Sequence, residues 1–302
     1  MEKMNTVRLN AYAKLNLTLD ITGTEGGYHT LDSLVTTVDL SDRVVVKKRK
    51  DSLVNVRMHG MGSEQILPEE NNAVRAAEAF VSRFQTGGAD ITIYKNIPIG
   101  AGLGGSSADA AGAIKALAKL YAITDMVALK ALADGFGSDT GYLLTGGFAR
   151  MRGRGTEIDF LGELPKIWFL LLCPKSGVST ADCYRAFDET GKTFEPRTEK
   201  ALELLRGGNL EWAARLFGNH LTEAATGLNG DVETALKEAR SFSPLAAGMT
   251  GSGSAAYAAF DSEELCRWAK SRYRGKFRAY CVKSTCKQKT WHNPYILETE
   301  EG

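Results

Sequence analysis

The chain has 302 residues, 43% of them hydrophobic and 24% charged, with a formal net charge of +1. Such a length suits one large domain or two ordinary ones, and the composition excludes collagen, a disulfide miniprotein and wholesale disorder. A charge so close to zero gives no global field toward nucleic acid or an anionic membrane, so neither is expected as a partner.

Met1 to Thr6 carry no apolar segment of the secretory kind, and the five cysteines, Cys173, Cys183, Cys266, Cys281 and Cys286, form no C-x-x-C pair. A cytoplasmic protein with small buried or half-buried thiols is expected. From Leu9 to Ile21 apolar and polar residues alternate, which predicts a half-buried strand with Lys14 and Asn16 on its polar face. Two residues on one strand face stand about 7 Å apart, close enough to make one polar platform. Gly26-Gly27 predicts a turn, and Leu34–Val38, Val44–Val46 and Leu53–Met58 predict further strands of an antiparallel sheet. Lys47-Lys48-Arg49-Lys50 follows a valine run, as an exposed strand end or hairpin would.

Val74, Ala77, Phe80, Val81 and Phe84 recur at helical spacing, Gly87-Gly88 ends the helix, and a strand follows through Ile91 and Ile93. Then comes Pro98-Ile99-Gly100-Ala101-Gly102-Leu103-Gly104-Gly105-Ser106-Ser107-Ala108, with an alanine-rich helix running on to Leu120. A glycine loop feeding a helix N-terminus offers free N–H groups to phosphate. Gly100, Gly102 and Gly105 satisfy G-x-G-x-x-G, with Asp125 as a ribose-binding acid, so a dinucleotide site stays open. A P-loop fails because Ser106-Ser107 stands where Lys-Ser/Thr is required, and a plain turn capped by Ser107 is the bland alternative.

Gly137-Ser138-Asp139 forms a turn after an Ala/Leu-rich helix, where Asp139 is either a catalytic carboxylate or an Asx-turn. The longest strongly apolar run, Ile167 to Cys173, is too short to span a membrane and predicts a buried strand. Helices are expected near Glu199–Leu205, Leu210–Phe217 and Val232–Ala239, then a strand at Ala255–Phe260 and a last helix and strand. This is a second α+β layer, with a boundary near Leu161–Pro165.

The loop from Ile97 to Ala111, Gly137-Ser138-Asp139 and Met249-Thr250-Gly251-Ser252-Gly253-Ser254 together resemble the GHMP kinase superfamily. Ala13-Lys14-Leu15-Asn16-Leu17 and Gly27-Tyr28-His29 resemble the branch that phosphorylates 4-diphosphocytidyl-2-C-methyl-D-erythritol in isoprenoid precursor synthesis. Ser106 and Thr140-Gly141 depart from that branch, and the tail from Trp291 is unfamiliar. The resemblance implies an α+β, two-lobed fold, with a ribosomal-protein-like N-terminal lobe over 1–162 and a ferredoxin-like α/β sandwich lobe over 163–302. It also implies ATP and Mg2+.

By the same resemblance Asp139 is the base, Lys14 its charge partner, Ser107 the Mg2+ ligand, and Pro98 to Ala108 the phosphate cradle. Asn71 and Lys95 are expected near adenine. Tyr28, His29 and Tyr184 are expected to clamp cytidine, with Asn16, Thr180, Gly251 and Ser252 beside the substrate. The expected partner is a small alcohol, with the chain a monomer or homodimer. Another alcohol, an ATP-binding regulator without catalysis, and an RNA-binding module remain the alternatives.

Overall fold

A computed structural model describes residues 5–67 and 71–286; the tail from Trp291 lies outside the described residues. The chain opens with β1 (Thr6–Asn16), β2 (Thr18–Glu25), β3 (Tyr28–Lys48) and β4 (Val54–Gly60). The alternating segment is thus two strands, with a bulge between Tyr12 and Lys14 and a break at Leu17, whose N–H bonds Leu34 O at 2.8 Å. Both faces are buried from Ala13 to Asp20, so only its first half is half-buried.

The runs at Leu34–Val38 and Val44–Val46 belong to one strand, β3, the spine that pairs with β1, β2, β5 and β6. The polar stretch between them misled the pattern because Asp42 is a buried, paired carboxylate rather than a turn residue. After β4 come α1 (Asn72–Phe84) and β5 (Ala89–Lys95), and β4 pairs with β5 in parallel, not antiparallel. A parallel pair needs a crossover, and α1 is that crossover.

α2 (Gly105–Tyr121) lies deep, with Ala108 to Ala118 buried throughout. Its small residues allow the helix to sit close on the sheet: a Cβ on Gly112 would lie 3.0 Å from Val44 Cγ2 and 3.1 Å from Ala11 Cβ. α3 (Met126–Asp134) starts at Asp125, whose side chain accepts the N–H of Ala128, so the would-be ribose acid is a helix cap. Next come α4 (Ser138–Leu143), β6 (Phe148–Gly153) and β7 (Glu157–Gly162), completing the larger sheet apart from one late strand.

β8 (Trp168–Cys173) is the predicted buried strand and the centre of a four-stranded sheet. It is followed by α5 (Thr180–Thr190), α6 (Thr198–Arg206), α7 (Leu210–Ala214), the short β9 (Gly218–Asn219), α8 (Thr222–Leu228) and α9 (Gly230–Arg240). β10 (Ala246–Met249), β11 (Ala256–Phe260), α10 (Glu263–Arg272) and β12 (Arg278–Lys283) finish the fold, with the sheet ordered β10-β11-β8-β12. α7 stops at Ala214 instead of Phe217, and α5 and α8 were not anticipated.

The two sheets share a core. One apolar cluster includes Leu15 and Leu34 of the larger sheet and Phe169 and Tyr257 of the smaller. β9 pairs in parallel with β2, and Thr285 N–H reaches Thr37 O at 2.8 Å. Cys173, Cys183 and Cys266 are buried and Cys281 partly so, whereas Cys286 is exposed, against expectation. Burial pushes the thiols of Cys173 and Cys183 up to about 12 and about 11, which keeps them protonated and inert. Among the described residues no helix is long and apolar enough to cross a membrane.

Candidate active site

The glycine loop between β5 and α2 takes φ of 68° at Gly100, 74° at Gly102 and 70° at Gly104, a region costly for residues with a Cβ. The loop is also pressed from above. A Cβ on Gly102 would lie 2.3 Å from Thr250 O, and one on Gly251 would lie 2.9 Å from Gly102 O, so two backbones meet with no room for side chains. Lys14 N–H bonds Leu103 O at 3.0 Å and Ala255 N–H bonds Ala101 O at 3.1 Å, which ties the loop to both sheets. α2 starts at Gly104 with no side-chain cap, so Ser107 does not serve as the cap. The first-turn N–H groups and the helix dipole are thus left for an anion.

Ser106, the departure in the loop, receives a hydrogen bond from Asn72 Nδ2 at 3.1 Å. Ser107 points elsewhere: its Oγ lies 3.6 Å from where a Cβ on Gly137 would stand, facing the segment that carries Asp139. Ala108 is buried behind the loop and does not reach the cavity.

Asp139 is in the first turn of α4, not in an open turn, and its Oδ2 is 3.5 Å from Lys14 Nζ. The lysine side chain is 7% exposed and the aspartate 27%, so the pair faces the cavity with the carboxylate outermost. Lys14 Nζ also donates to Asn16 Oδ1 at 2.5 Å. That oxygen accepts Gly251 N–H at 3.0 Å, while Asn16 Nδ2 donates to Ser33 Oγ at 2.8 Å. Asn16 thus orients Lys14 and the late glycine loop while also lining the cavity beside the expected substrate position. Ser33 and Asn72 were missed because each acts only through a partner distant in sequence, and Thr250 was legible only as part of the late glycine loop.

α4 is held by the fully buried Tyr142, whose hydroxyl donates to Gly147 O at 2.5 Å. Thr140 and Gly141 are buried on the far side of α4, with Thr140 Oγ1 donating to Phe136 O at 3.2 Å. The Thr140-Gly141 departure thus sits behind the Asp139 carboxylate and outside the cavity wall.

The cavity has a volume of about 550 Å3. It is bounded by the loop from Pro98 to Ser107, by Lys14, Asn16 and Asp139, and by Thr180, Tyr184, Gly251 and Ser252. Thr180 Oγ1 and Ser252 Oγ share a hydrogen bond of 2.9 Å across the wall. His29 stacks on Tyr184 with ring centroids 4.8 Å apart, and its Nε2 bonds Asp188 Oδ1 at 2.7 Å. Tyr28, on the opposite face of β3, is 58% exposed, lies outside the cavity wall and is stacked at 3.8 Å by the guanidinium of Arg154. The structure therefore brings His29 and Tyr184 together and turns Tyr28 to Arg154; of the three only Tyr184 lines the cavity itself. Burial pushes the Tyr184 hydroxyl up to about 12, so it stays protonated.

Asn71 lines the cavity, and it also caps α1 by accepting Ala73 N–H at 2.9 Å. Lys95 lines the cavity too, yet its ammonium is bound to the carboxylates of Asp42 and Asp109. Burial opposes the charge on Lys95, but the two carboxylates hold its pKa above the ordinary lysine value. Burial pushes the Asp109 carboxyl upward, and the attraction of Lys95 opposes that push. A dinucleotide fold is not formed, because the strand before the loop lies in a mixed sheet with antiparallel β3 as its neighbour.

A glycine cradle at a helix N-terminus, an Asp–Lys pair across from it and a second glycine loop closing the top define a small-molecule kinase of the GHMP type. Residues 71–143 match the GHMP kinases N terminal domain family and residues 201–271 the GHMP kinases C terminal family. The 4-diphosphocytidyl-2-C-methyl-D-erythritol kinase of Desulfitobacterium hafniense is 39% identical over 86% of this chain and 89% of its own length. The protein of that name from Moorella thermoacetica is 34% identical over 93% of this chain and 100% of its own. A crystal structure of 4-(cytidine 5'-diphospho)-2C-methyl-D-erythritol kinase superposes with a TM-score of 0.78 at 31% identity, covering 92% of this chain and 100% of that one. Homoserine kinase from Cytophaga hutchinsonii, 17% identical with a TM-score of 0.70 over 95% of this chain and 97% of that one, shares the fold. The chain belongs to the GHMP kinases, in the branch of the 4-diphosphocytidyl-2-C-methyl-D-erythritol kinases.

Proposed function

We propose that the protein transfers the γ-phosphoryl group of ATP to the 2-hydroxyl of 4-diphosphocytidyl-2-C-methyl-D-erythritol, the substrate in the names of its relatives. The observation that carries this reading is the Lys14–Asp139 pair, 3.5 Å apart, facing an uncapped helix N-terminus across one cavity. Asp139 orients the alcohol and accepts its proton, while Lys14, held by Asn16, balances charge on the transferred group. The amides from Gly102 to Ser106 hold phosphate oxygens.

No group of three or more His, Cys, Asp or Glu able to hold a metal occurs among the described residues. The Ser107 hydroxyl, facing the segment that carries Asp139, is the residue that would hold Mg2+, which would supply charge neutralisation for the phosphates. Residues 1–162 are the nucleotide lobe and residues 163–302 complete the alcohol end of the cavity. His29 and Tyr184 hold the cytosine.

The test is ADP release with Mg-ATP, with and without the cytidine substrate and a panel of other alcohols. Stimulation by the cytidine compound with a KM between about 1 μM and 1 mM is expected. Asp139→Asn should lower kcat by roughly 10²- to 10⁴-fold with ATP affinity nearly unchanged. Stimulation only by a different alcohol discards the acceptor, and ATP binding without turnover on any alcohol discards the kinase.

A further inference from the structure

One buried charged cluster, with Lys95 and Asp109 in the cavity wall and Asp42 behind them, has no task in the phosphoryl transfer described above. Lys95 closes β5, Asp42 lies on β3 and Asp109 on α2, and they are 4%, 0% and 1% exposed. Lys95 Nζ donates to both carboxylates. Asp42 also accepts the backbone N–H of Asn96 at 2.5 Å and of Ile97 at 2.8 Å. Those two residues lead into Pro98, where the glycine loop begins, whereas Asp109 stands in α2, just past its end. Entrance and exit also touch: a Cβ on Gly105 would lie 3.2 Å from Ile97 Cγ2 and 3.7 Å from Lys95 Nζ. Charges this deep are costly to desolvate, and apolar residues of the same volume often stabilise as well or better, so stability alone does not account for the cluster.

We propose that Asp42, Lys95 and Asp109 are positioning residues for the nucleotide, an ion-paired staple that fixes the separation of the two ends of the phosphate loop. Lys95 thus acts through the loop and not on the base, an inference that rests on the nucleotide site proposed above. A loop with three left-handed glycines has much freedom to lose on binding. The staple removes part of that freedom during folding, so the amides are set before the triphosphate arrives.

The Lys95→Met/Asp109→Leu double variant breaks the link to α2 and leaves Asp42 on its two backbone donors. Hydrogen exchange in the nucleotide-free protein is followed in peptides over 96–109 and, as reference, 168–173 and 256–260. Exchange over 96–109 should rise by about 10-fold or more with the reference peptides unchanged. The KM for ATP should rise by about 10-fold or more while the KM for the alcohol stays within about 2-fold. Unchanged exchange over 96–109 and an unchanged KM for ATP in the folded variant overturn the staple. If the double variant does not fold, Asp109→Leu is compared with Asp109→Asn, which keeps an acceptor for Lys95. The staple requires exchange and ATP KM to rise in the first and be restored in the second, and equal values overturn it. A wild-type protein that binds no ATP removes the nucleotide site, and the exchange measurement still decides whether the cluster holds the loop.

Discussion

Replacing Gly102 by alanine separates the two glycine loops by a calculable amount. The residue has φ of 74°, and left-handed backbone costs a residue with a Cβ about 1–2 kcal/mol. The new Cβ would lie 2.3 Å from Thr250 O, where ordinary contact begins near 3.4 Å. Neither partner is a flexible side chain, so the backbones must part by about 1 Å, a displacement that can cost roughly 100-fold in rate. Gly100→Ala is the control. Its φ is 68°, but its Cβ would meet nothing closer than Gly177 Cα at 3.6 Å. Both variants should lose about 2–8 °C in Tm. In ADP-release assays kcat should fall by about 100-fold in Gly102→Ala and by less than about 10-fold in Gly100→Ala. Equal kinetic losses in the two would refute the claim that loop-to-loop distance, rather than backbone strain, governs the rate.

Removing a base-stacking ring costs about 1–3 kcal/mol, so Tyr184→Ala should raise the KM for the cytidine substrate by roughly 5- to 150-fold. Tyr28→Ala should raise it less, since Arg154 already covers one face of that ring; initial-rate kinetics with the reverse order would overturn this placement. A separate expectation concerns acid stability. Burial opposes ionisation of Asp20, yet the His220 ring, with Nε2 3.2 Å from Oδ1, and hydrogen bonds from the N–H groups of Arg197 and Thr198 and from the Thr198 hydroxyl outweigh it and hold the carboxyl below 3.8. A depressed folded pKa gives stability that is present above 3.8 and lost as pH falls through the folded value. Thermal melts between pH 5 and pH 3 should therefore fall more steeply for wild type than for Asp20→Asn, and parallel curves would exclude Asp20 as a source of the acid limb.

The helix from Val74 to Phe84, the loop from Pro98 and the strand from Ile167 were legible because period and glycine spacing are local signals. β3 was not, because the residues that interrupt its apolar pattern include Asp42, which is polar in sequence and paired in space. The parallel pairing of β4 also escaped, since pairing direction depends on the path of the chain through α1. At the site, Lys14 and Asp139 could be named from motifs, but their 3.5 Å approach needs a bulge in β1 and the burial of α4. The working posture of Asn16 depends on Gly251, a residue 235 positions away.

Thr285 bonds Thr37 across 248 positions of sequence. On a ribosome adding about 5–20 residues per second, Thr37 emerges some 12–50 s before its partner exists. For that interval the middle of β3 has a bare edge, beside a large apolar surface already synthesised. The edge of β3 at Thr37 and Val38 is therefore completed only by residues 284 and 285, just past β12, so the larger sheet waits for the far end of the described chain to close.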